Sequence, residues 1–278
     1  MKLRAPAKVN LQLRILGRRE DGFHDIETLM VPISLADEIT IETAIGRTVK
    51  VRSNDPTLPT GDSNLAVKAA QIFSEATGLK FAAHIEIEKR VPMGAGLGGG
   101  SSDAAAVLVA LDTLFETHMS APDLEQLASR IGSDIPFFIR TLPAWCRGRG
   151  EIIEPTEIPE TLPLLLIKPP FGVPTPWAYK RWRDSHSLPG EWETEADLGW
   201  IRIVNSLERP VFEKFLFLPI LRRWLTEQPE VRAAAMSGSG STVFAILKDT
   251  TDGPALEARV REYFGGNLWT ALCHTGAE

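Results

Sequence analysis

Pro92-Met93-Gly94-Ala95-Gly96-Leu97-Gly98-Gly99-Gly100-Ser101-Ser102 is the stretch on which the reading of this chain turns. Five of the seven residues from 94 to 100 are glycine, more than a simple turn requires. Without Cβ atoms the backbone can fold tightly and point several N–H groups inward, and a helix starting at once adds its positive end. The expectation is a cradle for phosphate. On the N-terminal side, His84 to Arg90 reads as a strand with Ile85 and Ile87 inward. On the C-terminal side, Ser101 and Ser102 read as caps of an apolar helix over Ala104 to Phe115, with a second helix from Ala121 to Ile131.

The class of phosphate loop follows from what it lacks. A Walker A loop needs Gly-Lys-Ser/Thr at the helix start, and this loop has no lysine. Gly94, Gly96 and Gly99 satisfy the dinucleotide pattern G-x-G-x-x-G, but a second parallel strand should follow, and a helix is expected instead. A nicotinamide-dependent oxidoreductase therefore stays open only as an alternative.

Further out, residues 8 to 15 alternate, with Val9, Leu11, Leu13 and Ile15 on one face and Lys8, Asn10, Gln12 and Arg14 on the other, the pattern of a half-buried strand. Ile26 to Ile33, Glu38 to Glu42 and Thr48 to Arg52 read as weaker strands of a mostly antiparallel sheet. Ser63 is the expected cap of a helix that Gly78 stops. A composition break follows Gly148 to Glu151, where Pro155, Pro159 and Pro163 interrupt the pattern. Two domains are expected, residues 1–155 and 156–278. The second half starts with the strand Leu164 to Ile167 and continues as helix to about Trp224, interrupted by a polar stretch from Ser185 to Glu195. Then come strand Val231 to Met236, the turn Ser237 to Ser241, strand Thr242 to Leu247, helix Ala255 to Phe264 and strand Leu268 to Cys273. That order suggests a ferredoxin-like α+β layer.

Length and composition agree: 278 residues suit two domains, and 44% apolar with 24% charged residues is an ordinary globular balance. A net charge of −6 offers no global attraction for nucleic acid or anionic membrane, so phosphate must be handled locally. Two distant cysteines, Cys146 and Cys273, suggest neither a disulfide framework nor a zinc site. With no signal-like N-terminus and no apolar window approaching a membrane span, the cytoplasm is the expected location. The oligomeric state, monomer or weak dimer, is left open.

Gly96 to Ala105 resembles the signature loop of the GHMP kinase superfamily, which binds ATP without a Walker A motif. Ala5 to Leu11, Arg19 to His24, Gly132 to Phe138, Pro174-Thr175-Pro176 and the Ser237 to Ser241 loop resemble the branch acting on a cytidine diphosphate-linked acceptor. The likeness covers nearly the whole chain. It implies the two-domain GHMP kinase fold, an N-terminal ribosomal protein S5 domain 2-like domain and a C-terminal ferredoxin-like domain. It also implies ATP-dependent phosphorylation of the 2-hydroxyl of 4-diphosphocytidyl-2-C-methyl-D-erythritol, a step of non-mevalonate isoprenoid precursor synthesis. Another kinase of the superfamily, acting on mevalonate, homoserine or a sugar, and a nucleotide binder without catalysis are the other readings.

Residue by residue, the resemblance makes Asp134 the base facing the acceptor hydroxyl and Lys8 its electrostatic support. Pro92 to Ser102, with Met93, Ala95, Leu97, Gly98 and Gly100 among them, would hold ATP, and Lys89 would lie near the nucleotide. Mg2+ is expected with the phosphates. Its ligands are unread, with Ser102 the nearest candidate. Asn10 would touch the acceptor or orient Asp134. Phe23 and His24, at a loop tip, would read a cytosine with Tyr179 stacking from the other domain, and Gly238, Ser239 and Gly240 would approach the acceptor's diphosphate. One departure stands out: the family has Asn-Asp where this chain has Asn205-Ser206. The tryptophans at 177, 182, 192 and 200 have no role in this reading, and His84, His118, His186 and His274 are expected on the surface.

Overall fold

The computed structural model describes residues 1–185 and 195–277. Two sheets organise it. In the first, β1 (Lys2–Arg18) and β2 (His24–Ala44) make one long antiparallel pair, joined by the turn that carries Phe23. β3 (Val49–Ser53), β4 (Ala82–Glu88), the hairpin of β5 (Ala144–Gly148) and β6 (Ile152–Pro155), and the short β8 (Ala196–Asp197) and β9 (Arg202–Asn205) complete eight strands. The second sheet holds β7 (Pro163–Lys168), β10 (Val231–Met236), β11 (Val243–Leu247) and β12 (Trp269–His274) in the order β10-β11-β7-β12. Numbered along the chain these four run 2-3-1-4 with helices after the first and third, the ferredoxin-like arrangement expected.

The central strands of the first sheet are buried on both faces. On one, α1 (Leu65–Thr77), α2 (Gly99–Phe115), α3 (Ala121–Ser129) and α4 (Phe137–Arg140) pack with Ile39, Ile41, Ile85 and Ile87 into one core. On the other, Ala7, Val9 and Leu11 meet Leu164, Leu166 and Phe244 of the second sheet. The opposite face of β7, Leu165 and Ile167, packs beneath α5 (Thr175–Trp182), α6 (Glu208–Lys214), α7 (Phe217–Thr226) and α8 (Gly253–Phe264). A strand covered on both sides reads as a continuous apolar run, which is why Leu164 to Ile167 was recognisable.

Several expectations are corrected. β1 is a buried central strand, not a half-solvated one, for Lys8, Asn10 and Gln12 on its polar face are as inaccessible as the apolar face. Ile26 to Ile33 and Glu38 to Glu42 are one strand; Asp37 breaks the apolar pattern without breaking the strand, because its buried carboxylate accepts from the amides of Arg90 and Val91. Asn64, not Ser63, caps α1 through a bond from the Ala66 amide, and Gly78 ends it at φ 72°. The region expected to be helical before Trp224 contains β8 and β9. β9 adds to the first sheet in parallel with β1, pairing Val204 with Gln12, so the chain returns across the boundary expected near 155. His186 and Trp192 lie outside the described residues.

Candidate active site

The glycine loop owes its path to its sequence. Gly94, Gly96 and Gly98 take φ of 61°, 75° and 72°, so every second residue is left-handed and the chain coils on itself. α2 then begins at Gly99 with Gly98 as its cap and no side-chain cap at all. Ser101 and Ser102 are not caps but lie inside the first turn. An uncapped helix start leaves its first amides free for an anion.

A second loop, Ser237 to Ser241, seats on the first. Ser237 Oγ donates to Gly96 O at 2.9 Å, and the Thr242 amide donates to Ala95 O at 3.2 Å. The approach is so close that a Cβ on Gly96 would stand 2.1 Å from Ser237 O. Gly238 is also confined, though less tightly, its missing Cβ falling 3.2 Å from Lys8 Nζ and 3.3 Å from Asn10 Oδ1. Behind this loop, buried Asn205 donates through Nδ2 to both Met236 O and Gly238 O, each at 2.7 Å. Buried Glu208 accepts from the Met236 amide at 2.8 Å and stands 3.6 Å from Arg222 Nε. Burial raises the Glu208 pKa, against the pull of Arg222 and that amide. Ser206 accepts from the Ile15 amide at 3.2 Å and ties β9 to β1.

Lys8 projects from β1 under both loops. Its ammonium donates to Asn10 Oδ1 at 2.6 Å and to Gly96 O at 2.8 Å, and Asn10 is itself fixed by donating to Thr28 Oγ1 at 2.8 Å. Asn10 thus orients Lys8, not Asp134. Burial pushes the Lys8 pKa down while the Asp134 carboxylate opposes the shift through space. Asp134 sits in the turn between α3 and α4, and its charge also adds to the burial that raises the Tyr179 pKa.

These groups open into one cavity of about 920 Å³. It is lined by Lys8, Asn10, Pro92 through Ser101, Asp134, Gly238 and Ser239, and also by Phe23, His24, Arg149 and Tyr179. Ser102 and Gly240 do not line it. Ser102 is 1% exposed within α2, which leaves Ser101 as the loop's accessible hydroxyl. Gly240 packs on Met236 Sδ, and its amide donates to Ser237 O at 2.9 Å. His24 is the buried first residue of β2 and not a loop tip, with the Tyr179 ring 5.5 Å away. Phe23 is 49% exposed, and the Arg149 guanidinium covers one face of its ring at 5.0 Å.

Lys89 reaches the cavity wall, but its ammonium is held by Asp37 and by Asp103 Oδ2, the latter at 2.9 Å. Burial works against the lysine's charge, yet the two carboxylates prevail and its pKa is raised. Asp37 accepts three donors; Asp103 accepts one, and its Oδ1 is buried without a partner. The cost of desolvation therefore falls on Asp103, whose pKa is pushed up to about 7.

Sequence reasoning did not anticipate Arg149, Asp37, Asp103, Asn205 or Glu208 as parts of this site. Asp103 and Asn205 stand within quoted motifs, which was the signal at hand. Asp37 had none beyond a polar residue inside an apolar strand.

A glycine cradle at an uncapped helix start, with a buried lysine and a carboxylate beside it, defines a small-molecule kinase of the GHMP class. Residues 64–141 match the model for GHMP kinases N terminal domain and residues 186–266 that for GHMP kinases C terminal. The Rossmann alternative falls with this fold. A 4-diphosphocytidyl-2-C-methyl-D-erythritol kinase of Methylacidiphilum infernorum (isolate V4) is 44% identical over 276 residues, 96% of this chain and 94% of that protein. One of Syntrophotalea carbinolica is 38% identical over 96% of both chains. Among solved structures, a 4-(cytidine 5'-diphospho)-2C-methyl-D-erythritol kinase superposes with a TM-score of 0.76 at 38% identity over both whole chains. A Methanococcus jannaschii mevalonate kinase shares the fold, TM-score 0.70, at 12% identity over 99% of this chain and 98% of that one. The chain belongs to the 4-diphosphocytidyl-2-C-methyl-D-erythritol kinase family.

Proposed function

We propose that this kinase transfers the γ-phosphoryl group of ATP to the 2-hydroxyl of 4-diphosphocytidyl-2-C-methyl-D-erythritol. The observation that carries the reading is one cavity lined by the glycine cradle, Lys8 and Asp134 together with the His24–Tyr179 ring pair.

Phosphoryl transfer asks a protein for positioning and charge neutralisation more than for covalent chemistry. The loop from Pro92 to Ser101 holds the triphosphate, with the N–H groups that follow Pro92 as donors. Asp134 accepts the proton of the attacking hydroxyl. Lys8, desolvated and oriented by Asn10, places its charge where negative charge builds on the transferring group. Gly238 and Ser239 approach the acceptor's diphosphate, and Phe23, His24 and Tyr179 read the cytosine. A mevalonate, homoserine or sugar acceptor carries no base for those rings.

Mg2+ would accompany the nucleotide in this reading and would supply neutralisation of the phosphate charge. Among the described residues no cluster of three His, Cys, Asp or Glu forms a dedicated cage. That suits a metal held through phosphate, water and one or two protein oxygens. Ser101 at the α2 start and Asp134 are the side chains in place to contribute. Residues 1–155 hold the nucleotide and 156–278 supply Tyr179 and the second loop. The cytoplasm is the location that goes with this reading.

Asp134→Asn tests the base. ADP release should fall about 10²- to 10⁴-fold in kcat with the KM for ATP nearly unchanged. Unaltered turnover would remove Asp134 from this role. Comparing the cytidylylated acceptor with 2-C-methyl-D-erythritol 4-phosphate tests the base-reading end, and equal kcat/KM for both would refute it.

A further inference from the structure

Trp182 has no part in the chemistry above and does not line the cavity. It lies in the last turn of α5, three residues after Tyr179, so both rings leave the same helix face. That face meets His24. The Tyr179 ring is tilted 36° to the imidazole at 5.5 Å, and the Trp182 ring stands edge-on to it, at 85° and 5.8 Å. His24 is only 8% exposed, yet its ring nitrogens make no hydrogen bond to any described residue. A histidine is usually oriented by a bond to one of its nitrogens. Here the orientation comes from two flanking rings, and both nitrogens are left for a ligand.

The backbone that carries the outer ring is itself anchored. Ser185 Oγ donates to Trp182 O at 2.8 Å, Arg209 Nε donates to Ser185 Oγ at 2.8 Å, and Arg209 Nη2 donates to Trp182 O at 3.2 Å. The Arg209 guanidinium lies 5.9 Å from the centre of the Trp182 ring. Arg209 follows Glu208 on α6, so one helix braces both the base-reading histidine and the strand end that carries the second glycine loop.

We propose that Trp182, anchored by Arg209 and Ser185, is a positioning residue that fixes the His24 ring and thereby sets the enzyme's selectivity for a nucleobase-linked acceptor. The inference rests on the cytidine-linked acceptor proposed above. Burial, with Arg18 adding to it, lowers the His24 pKa, so the ring is neutral at neutral pH. A neutral imidazole offers one donor and one acceptor, a match for the cytosine edge, where an amino donor adjoins ring and carbonyl acceptors. Which nitrogen meets which group depends on the ring's rotation, and terminal ring torsions are broad unless packing restricts them. Removing the edge-on ring frees that rotation.

The test is steady-state kinetics on the full chain, with ATP, the cytidylylated acceptor and the unmodified monophosphate varied in turn. Trp182→Ala should raise the KM for the cytidine-linked acceptor about tenfold, as expected for loss of one aromatic contact and the alignment it imposes. The KM for ATP should hold, Trp182→Phe should recover most of the loss, and Arg209→Gln should give a smaller rise in the same KM. An unchanged acceptor KM in a folded Trp182→Ala variant overturns the proposal. So does an equal rise in both KM values, or a Phe variant no better than Ala. If Trp182→Ala does not fold, Arg209→Gln decides alone, an unaltered acceptor KM counting against the proposal. Wild-type enzyme that turns over both acceptors equally would sink the cytidine reading itself. Wild-type preference that survives intact in Trp182→Ala would sink only the role of Trp182.

Discussion

Two glycine loops meet at Gly96, and they are shaped by different means. The loop from Gly94 to Gly98 is shaped by itself: alternate positive φ values coil it, and α2 starts where it ends. The loop from Ser237 to Ser241 is shaped from a distance. Asn205 holds its Gly238 carbonyl and the carbonyl of Met236 just before it, Glu208 holds the Met236 amide, and the Thr175 hydroxyl meets Ser239 Oγ at 2.7 Å. One loop carries its geometry in its own residues, whereas the other borrows it from α5, α6 and β9. Substitutions in the first should act through backbone and contact, and substitutions far from the second should still act on it.

The largest effect is expected at their junction. Gly96→Ala would put a Cβ 2.1 Å from Ser237 O, a backbone atom that cannot step aside without separating the loops, at a φ that disfavours alanine. Gly96 O also receives the Lys8 ammonium, so parting the loops moves Lys8 as well. Activity should fall roughly 10²-fold or more, as for an ångström-scale displacement of a catalytic group. Stability should fall by about 3 kcal/mol in urea titration. Near wild-type kinetics would show that the loops need not touch.

Next comes the distant support of the second loop. Asn205→Ala leaves Met236 O, Gly238 O and the Leu207 amide without their shared partner in a dry interior. Leaving buried polar groups unpaired costs about 1–3 kcal/mol, and kcat should drop because Gly238 carries the loop past Lys8. Calorimetric melting and ADP release, measured together, check this. A stability loss with untouched kcat would mean that the second loop holds its shape unaided.

The same contrast explains what could be read in advance. The first loop, α2 and the strand before it were legible because glycine count, apolar run and alternation all lie within a few residues of one another. Lys8 and Asp134 were reachable only through the motifs around them, since a lysine in a strand and an aspartate in a turn have no local signature of catalysis. Asp37, Asn205 and Glu208 were illegible as supports: each is a polar residue whose partner lies 28 to 54 positions away. β9 was missed for a related reason. Four residues adopt strand geometry there because β1 offers an edge, and an edge is not written in those four residues. His24 was misplaced as an exposed tip because the rings that cover it come from α5, about 155 residues later in the chain.

Beneath the first loop, Asp103 permits a test by pH. Its pKa in the fold is about 7, above the ordinary carboxyl value of about 3.9. A carboxyl that binds its proton more tightly when folded favours folding while protonated, and that contribution is lost as pH climbs from about 4 through 7. Asp103→Asn keeps an acceptor for Lys89 and removes the titration. The variant's Tm should vary less than the wild type's across that window and exceed it at pH 8. Parallel Tm profiles for the two proteins would remove Asp103 as the source of this pH dependence.

The smallest effect isolates the backbone's share. Gly94 has the same left-handed φ as Gly96, 61° against 75°, but a Cβ added there would meet nothing within 4 Å. Gly94→Ala therefore pays only for conformation, about 1 kcal/mol, with no steric quarrel to add. The difference between the Gly94 and Gly96 variants measures the loop-to-loop contact itself, freed of the φ cost they share. If the two lose equal stability and equal activity, the first loop's coil is all that matters and the second loop only rests beside it. If Gly94→Ala keeps most of its turnover while Gly96→Ala loses it, the seat of one loop on the other is what holds Lys8 in place.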